Sequence, residues 1–393
     1  MNILFLLKSF EIGGLEVVTS VLANKFVSEG HRVVLWAFYE GKTSLADRLD
    51  ARVKLIYGHG FHSNKDNVKS LRQVLVDNQI QIAINQWGLP YVPALTLKKA
   101  SSGLGIKTIA VYHNDPNSNG RMKEVEIALE HCDSWLKRTL LKWKLYVFRQ
   151  ITAASMRYVY HNCDKYFVLS ESFISHFRKF TGIKKASKLY VQTNPITLNS
   201  EGYKLDFTSK NKEVIYVGRL DNQQKRVYRI IETWALIEKQ FPDWRLTIVG
   251  DGTERQNLIC LVNKLGLQKV YFEGFKEPSP YYERASILAL VSEYEGFPLV
   301  LAECMSFGVV PIVYDSYSAV HDIIDDGVDG VIVPFNPNGF EPKTMAAKLS
   351  LLISDEERRK QMSVNAMKKS NNYSLDFIYK QWESTFRTLI DTK

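Results

Sequence analysis

Short apolar runs alternate with amphipathic stretches along almost the whole chain. Residues 3–7, 33–37, 82–84, 108–112 and 166–169 are dominated by Ile, Leu, Val, Phe and Tyr, the pattern of strands buried on both faces. Apolar positions at helical spacing follow most of them, as in 15–27 and 68–78. Such alternation predicts α/β layering, a parallel sheet with helices on both sides. The pattern lapses into polar, Ser-, Thr- and Asn-containing sequence over 196–212 and then restarts. Strands are expected at 214–217, 246–249, 270–272, 287–291 and 309–313, with helices at 227–239, 254–265 and 299–307. The chain therefore divides into a first doubly wound domain over 1–195, a linker over 196–212 and a second doubly wound domain over 213–373. An amphipathic helix within 374–393 is expected to pack back on the first domain. Two such domains would face each other across a cleft at the carboxyl ends of their strands, where these sheets bind ligands.

The length of 393 residues suits two domains, and 45% hydrophobic residues supply two cores. The four cysteines lie far apart with no C-x-x-C pair, so neither a zinc site nor a disulfide framework is indicated, and a reducing cytoplasm fits. No run approaches the eighteen apolar residues of a membrane span, and the start lacks the basic region of a signal peptide. The net charge of +9 is uneven. Residues 1–195 hold 27 Lys and Arg against 15 Asp and Glu, whereas the remainder holds 24 against 27. The first half is thus suited to an anionic partner such as a membrane surface, a nucleic acid or a phosphorylated acceptor.

Four segments could carry chemistry. Glu11-Ile12-Gly13-Gly14-Leu15 follows the first strand and opens a helix, where glycines let backbone N–H groups approach an anion. A plain tight turn accounts for it equally well. Gly218-Arg219-Leu220, with Lys225-Arg226 at the next helix, places cations at a strand end and beside a helix start, a clamp for a diphosphate or a pair of solvated surface cations. Glu295 and Glu303 are separated by seven residues around Pro298, which suits a first helical turn. Carboxylates there would accept from sugar hydroxyls; alternatively both are ordinary helix acids. His113 stands at the carboxyl end of a strand, a structural or an active-site imidazole.

Together these segments resemble the GT-B glycosyltransferases, above all the retaining family 4 of group 1. The resemblance rests on the E-x7-E pair Glu295 and Glu303, on Gly250-Asp251-Gly252, and on Gly218-Arg219-Leu220 with Lys225. It implies a GT-B architecture of two Rossmann-like domains and a nucleotide-sugar donor, UDP-linked in preference to GDP-linked. It also implies that Arg219 and Lys225 hold the donor diphosphate, that Glu303 bonds the ribose and that Glu295 bonds the transferred sugar. Gly14 and the backbone of Gly296, Phe297, Leu299 and Val300 complete the donor contacts, Phe275 lies at the base, and His113 sits over the sugar. Catalytic work falls to His113, Arg219, Lys225 and Glu295. The sequence departs from the family where Asp221-Asn222-Gln223-Gln224 lengthens the spacing between Arg219 and Lys225, and where Arg226 stands in place of the usual Gly. No D-x-D occurs, which fits transfer without metal or other cofactor.

The implied activity moves a hexose or N-acetylhexosamine to a hydroxyl of a glycan, glycolipid or cell-wall polymer, with retention. Alternatives are a GT-B enzyme making a small soluble glycoside, a non-catalytic partner subunit, and a membrane- or polymer-binding subunit. Between 136 and 160, Leu136, Leu140, Trp143, Val147 and Ile151 form an apolar stripe flanked by Lys137, Arg138, Lys142, Lys144 and Arg149. The expectation is an ordinary helix burying that stripe on the first domain. The alternative is an interfacial helix on an anionic leaflet, which would make a cytoplasmic enzyme peripheral on the inner face of the membrane. Nucleic acid is not an expected partner, since no recognised module accompanies the charge.

Overall fold

A computed structural model describes residues 1–41, 45–130 and 132–391. Among them the chain separates into two units, one of residues 1–197 with a final helix, the other Leu198–Ser374.

In the first unit the apolar runs form β1 (Asn2–Leu7), β2 (Arg32–Ala37), β3 (Lys54–Tyr57), β4 (Ile82–Asn85), β5 (Lys107–Tyr112), β6 (Lys165–Val168) and β7 (Leu189–Val191). All pairings are parallel, in the order β3-β2-β1-β4-β5-β6-β7. Between them run α1 (Gly14–Ser28), α2 (Lys65–Asp77), α3 (Tyr91–Ser101), α4 (Gly120–Glu130), α5 (Trp135–His161) and α6 (Ser172–Thr181). The residues of β1 from Ile3 to Leu7 have no exposed surface, as expected for a strand covered on both sides.

The second unit repeats the plan with β8 (Glu213–Val217), β9 (Arg245–Val249), β10 (Val270–Gly274), β11 (Ile287–Leu290), β12 (Val310–Tyr314) and β13 (Val331–Val333), in the order β10-β9-β8-β11-β12-β13. Its helices are α7 (Tyr228–Ala235), α8 (Arg255–Leu265), α9 (Ser279–Arg284), α10 (Leu299–Ser306), α11 (Val320–Ile323), α12 (Pro342–Ser354) and α13 (Glu356–Ser370). Trp234, Tyr216, Ile248 and Leu349 lie in its core.

The last helix, α14 (Leu375–Asp391), belongs to the first unit. It buries Ile378, Tyr379, Trp382, Phe386 and Leu389. Phe386 meets the Phe26 ring edge-on at 5.4 Å, Trp382 meets Phe167 at 5.4 Å, and Tyr379 reaches His31 at 3.1 Å. Each large apolar side chain so buried contributes about 2 kcal/mol relative to exposure. Residues 392–393 of the expected C-terminal segment lie outside the described residues.

Two expectations need correction. The stretch read as a linker is not free chain. Lys210 Nζ donates to the carbonyls of Tyr282 and Phe307 at 2.8 Å each, and the Tyr203 ring packs 5.0 Å from Phe307. Residues from 198 onward are therefore part of the second unit. The stripe on α5 is not buried either: Leu136, Leu140, Trp143 and Ile151 are all at least 60% exposed. Only the far end of the helix, with Ala153, Met156, Val159 and Tyr160, enters the core.

Candidate functional site

Both sheets change winding direction at their middle strands, and the carboxyl ends beside such a switch are where doubly wound sheets bind ligands. In the second unit the switch lies between β8 and β11. The loops beyond β8, β9 and β10 are joined there backbone to backbone. Gly218 N donates to Val249 O at 3.0 Å, Leu220 N to Asp251 O at 2.9 Å, and Gly250 N to Gly274 O at 2.8 Å. A Cβ on Gly250 would stand 1.9 Å from the Gly218 carbonyl oxygen, and Gly250 adopts φ 140°. A Cβ on Gly252 would come within 2.3 Å of the Leu220 carbonyl. These contacts explain Gly250-Asp251-Gly252 physically, because no side chain fits between the loops.

The segment between Arg219 and Lys225, longer than the family's usual spacing by one residue, folds around Asp221. Its Oδ1 accepts from the backbone N–H groups of Gln223, Gln224 and Lys225 at 3.1, 2.7 and 3.2 Å, and its Oδ2 accepts from Arg219 Nε at 2.8 Å. Burial alone would raise the Asp221 carboxyl, but the Gln224 N–H and the Arg219 guanidinium outweigh it and hold it below its ordinary value. The turn closes where Arg226 N donates to Asp221 O at 3.0 Å, with Arg226 at φ 49°. An arginine thus occupies the left-handed conformation that glycine would adopt without cost.

This turn delivers Lys225 rather than Arg226 to the carboxylate beyond β11. Lys225 Nζ pairs with Glu295 Oε1 at 2.6 Å, and Ser292 Oγ donates to the same oxygen at 2.6 Å. Gln224 Nε2 donates to Glu295 Oε2 and to Tyr294 O, both at 3.2 Å. Glu295 is only 6% exposed, while Arg219 keeps 66% of its side chain exposed. Arg226 faces Glu293 at 3.9 Å, and Arg229 Nη2 pairs with that same carboxylate. The sequence did not single out Gln224 or Ser292 as site residues: Gln224 reaches Glu295 only because two loops meet across 71 residues, and Ser292 is a neutral residue three positions before it. The one local signal, for Ser292, is a polar residue just past an apolar strand.

Pro298 is the N-cap of α10, which starts at Leu299 as expected, so Leu299 and Val300 open the helix with N–H groups that its own turn does not engage. Glu303 is buried in the middle of α10, and its charge adds to the burial that drives the Tyr282 phenol upward. Phe297 turns its ring inward, 5.4 Å from Tyr373, leaving only backbone for a ligand. Phe275, directly after Gly274, is among the most exposed aromatic residues.

In the first unit the switch lies between β1 and β4. Gly13 caps α1 and Gly14 begins it, with open space around a Cβ at 14. The Glu16 carboxylate folds over this turn: a Cβ on Gly13 would lie 2.5 Å from its Oε2. Burial raises Glu16 to about 7, with Glu11 adding to the rise. At β5, His113 Nε2–H donates to Gln86 Oε1 at 2.8 Å. Burial lowers His113 to about 4, so the ring is neutral at pH 7 with its lone pair on Nδ1. Among the described residues His113 Nδ1, Gln86 Nε2 and Trp87 Nε1 have no hydrogen-bond partner. Lys8, at the end of β1, lies 5.4 Å from the Trp87 ring and 5.8 Å from that of Phe61. Lys8, Gln86 and Trp87 were not among the residues read from the sequence.

Comparison with known proteins bears on both units. Residues 12–200 match the sequence model described as Glycosyltransferase Family 4, and residues 199–369 match that described as Glycosyl transferases group 1. The chain is 25% identical over 391 residues to the "GalNAc-alpha-(1->4)-GalNAc-alpha-(1->3)-diNAcBac-PP-undecaprenol alpha-1,4-N-acetyl-D-galactosaminyltransferase" of Campylobacter jejuni, covering 97% of each chain. It is 33% identical over 178 residues to the amylovoran biosynthesis glycosyltransferase AmsD of Erwinia amylovora, covering 45% of this chain and 48% of that one. Among solved structures, Anabaena HepE in complex with UDP-glucose superposes with a TM-score of 0.75 at 18% identity, over 99% of this chain and 100% of that one. Sucrose-phosphate synthase from Thermosynechococcus elongatus gives 0.75 at 15% identity, over 100% of both chains. At these identities the solved structures speak for the fold.

Proposed function

Since the chain belongs to the group 1 and family 4 glycosyltransferases and has their GT-B fold, we propose that it moves a hexose or N-acetylhexosamine from a UDP-sugar to a glycan hydroxyl, with retention. The acceptor we assign is a lipid-linked or polymeric glycan. The Campylobacter relative is named for a diphospho-undecaprenol substrate, and the Erwinia relative for amylovoran biosynthesis. The site of work is cytoplasmic, against the inner face of a membrane. No helix among the described residues is long and apolar enough to cross one.

One observation carries the reading: Arg219 and Lys225 stand with the Glu295 cluster beside the switch of the second sheet. In the proposed reaction, Arg219, Lys225 and the first N–H groups of α10 hold the diphosphate. Their charge stabilises the negative charge that grows on it as it leaves, without a metal ion. The ribose is assigned to Glu303, the transferred sugar to Glu295 and His113, and the base to the edge carrying Phe275. Neutral His113 offers Nδ1 as an acceptor to a sugar hydroxyl. The bond from the anomeric carbon to the diphosphate oxygen breaks, and the acceptor oxygen bonds to that carbon on the same face. The acceptor proton passes to the departing diphosphate.

The test is a panel of UDP-, GDP-, ADP- and dTDP-sugars with EDTA present, read by thermal shift and by release of nucleoside diphosphate. Stabilisation by UDP-sugars, with slow metal-independent release of UDP, is the expected result. Response to another base would correct the donor, and turnover only with a divalent ion would overturn the metal-free step. A glycosyl ester trapped on any Asp or Glu would replace front-face attack with double displacement.

A further inference from the structure

We propose that the outer part of α5, residues 135–151, is an interfacial anchor that lies in the headgroup region of an anionic phospholipid bilayer. This deepens the preceding reading by naming the surface on which a lipid-linked acceptor is met.

At about 1.5 Å per residue the 27 residues of α5 extend about 40 Å. Its inner end is fixed in the first unit. Ser155 Oγ donates to Leu89 O at 2.7 Å, Arg157 Nη1 to Thr181 O at 3.0 Å, and Met156 and Val159 are fully buried. The outer part shows six large apolar side chains at 60–75% exposure: Trp135, Leu136, Leu140, Trp143, Tyr146 and Ile151. Leu136, Leu140, Trp143 and Ile151 recur at helical spacing and share one face, with Trp135 and Tyr146 along its edge. Leu141, Leu145 and Phe148 occupy the opposite side and are half-buried. Cations separate the two faces, Lys137 and Lys144 on one border, Arg138, Lys142 and Arg149 on the other. From Trp135 to His161 there is no Asp or Glu.

A stripe with Trp at its centre and cations on both borders matches a bilayer interface, where apolar side chains enter the acyl boundary and ammonium and guanidinium groups meet lipid phosphates. A second copy fits poorly. Two-fold pairing of this face would bring its own cations together without a carboxylate to neutralise them.

The experiment is co-sedimentation of the full-length protein with vesicles of phosphatidylglycerol and phosphatidylcholine, and of phosphatidylcholine alone, without nucleotide or acceptor. The expected result is binding to the anionic vesicles that weakens at least tenfold between 0.1 and 0.5 M NaCl. Leu140→Ser with Trp143→Ser, and separately Lys137→Glu with Lys144→Glu, should each reduce binding at least tenfold. Both variants should keep the wild-type thermal shift with UDP-sugar, which reports an intact second unit, and the wild-type melting temperature. Failure to bind anionic vesicles, equal binding to neutral ones, or a dimer in solution that the Leu140→Ser, Trp143→Ser variant dissociates would each overturn the anchor. None of these outcomes would touch the transferase reading, which is measured without vesicles.

Discussion

Lys225 and Glu295, seventy residues apart, form an ion pair of 2.6 Å that ties the loop beyond β8 to the loop beyond β11. Both side chains are largely buried, so each is the main neutraliser of the other. Ser292 and Gln224 fill further acceptor positions on the carboxylate. The cluster is therefore charged but balanced on its own, and in the proposed reaction Lys225 would turn toward the diphosphate.

Removing one partner should be costly because it leaves a buried charge. Lys225→Ala is expected to lose about 3 kcal/mol of stability, and Lys225→Met with Glu295→Met to regain most of it. Turnover should remain lost in both. Denaturant melts and steady-state rates measure the two effects, and a double variant no more stable than the single would refute the pairing argument.

Arg219 offers the contrasting case. With most of its side chain in solvent and partners in Asp221 and, at 3.3 Å, Gln224, Arg219→Ala should change stability by less than about 1 kcal/mol. Its effect on kcat should be about 100- to 1,000-fold, since it removes charge where the leaving group becomes more negative. A variant with wild-type kcat would take Arg219 out of the diphosphate site.

Arg226 holds a left-handed backbone at φ 49°, a strain of about 1–3 kcal/mol for a residue with a Cβ. Its ion pair with Glu293 at 3.9 Å returns little. Arg226→Gly should therefore raise the melting temperature by a few degrees while leaving turnover near wild type. A clear fall in melting temperature would show that its packing, not its backbone, dominates.

Glu16 makes stability depend on pH. Its folded value of about 7 exceeds the ordinary 4.5, so the folded protein holds this proton more tightly than the unfolded chain. The contribution is complete below about 4.5 and is lost as pH rises through 7, by about 3 kcal/mol in all. Glu16→Gln should flatten melting temperature against pH over that interval and be the more stable protein at pH 8.

His113 should show no ionisation of its own in the physiological range. Because burial holds it near 4, kcat should have no limb near pH 6.5 arising from this ring, and His113→Ala should lower kcat more than donor affinity. Wild-type rates in that variant would leave the imidazole a purely structural role.

The strands that were legible in the sequence are those covered on both faces, such as β1 and β11, because a buried parallel strand must be apolar throughout. β3 and β7 escaped notice as short edge strands with partly exposed faces. Arg219, Lys225 and Glu295 could be picked out because charge beyond strand ends leaves a local trace, and Glu303 by its spacing of seven residues from Glu295. Gln224, Ser292, Gln86 and Trp87 left little, since their significance lies in which group each one meets in the fold. The α5 stripe shows the opposite failure. Its periodicity was plain, but periodicity alone does not say whether a face has a partner.

The place of α14 bears on how the chain matures as it is made. The first 197 residues leave the ribosome long before Leu375–Asp391, yet Phe26 and Phe167 wait for Trp382 and Phe386 to cover them. The second unit, by contrast, is one uninterrupted stretch. Domains generally complete in the order of synthesis. Here the unit that emerges first is the one that closes last, and its aromatic cluster must remain soluble throughout the translation of the other.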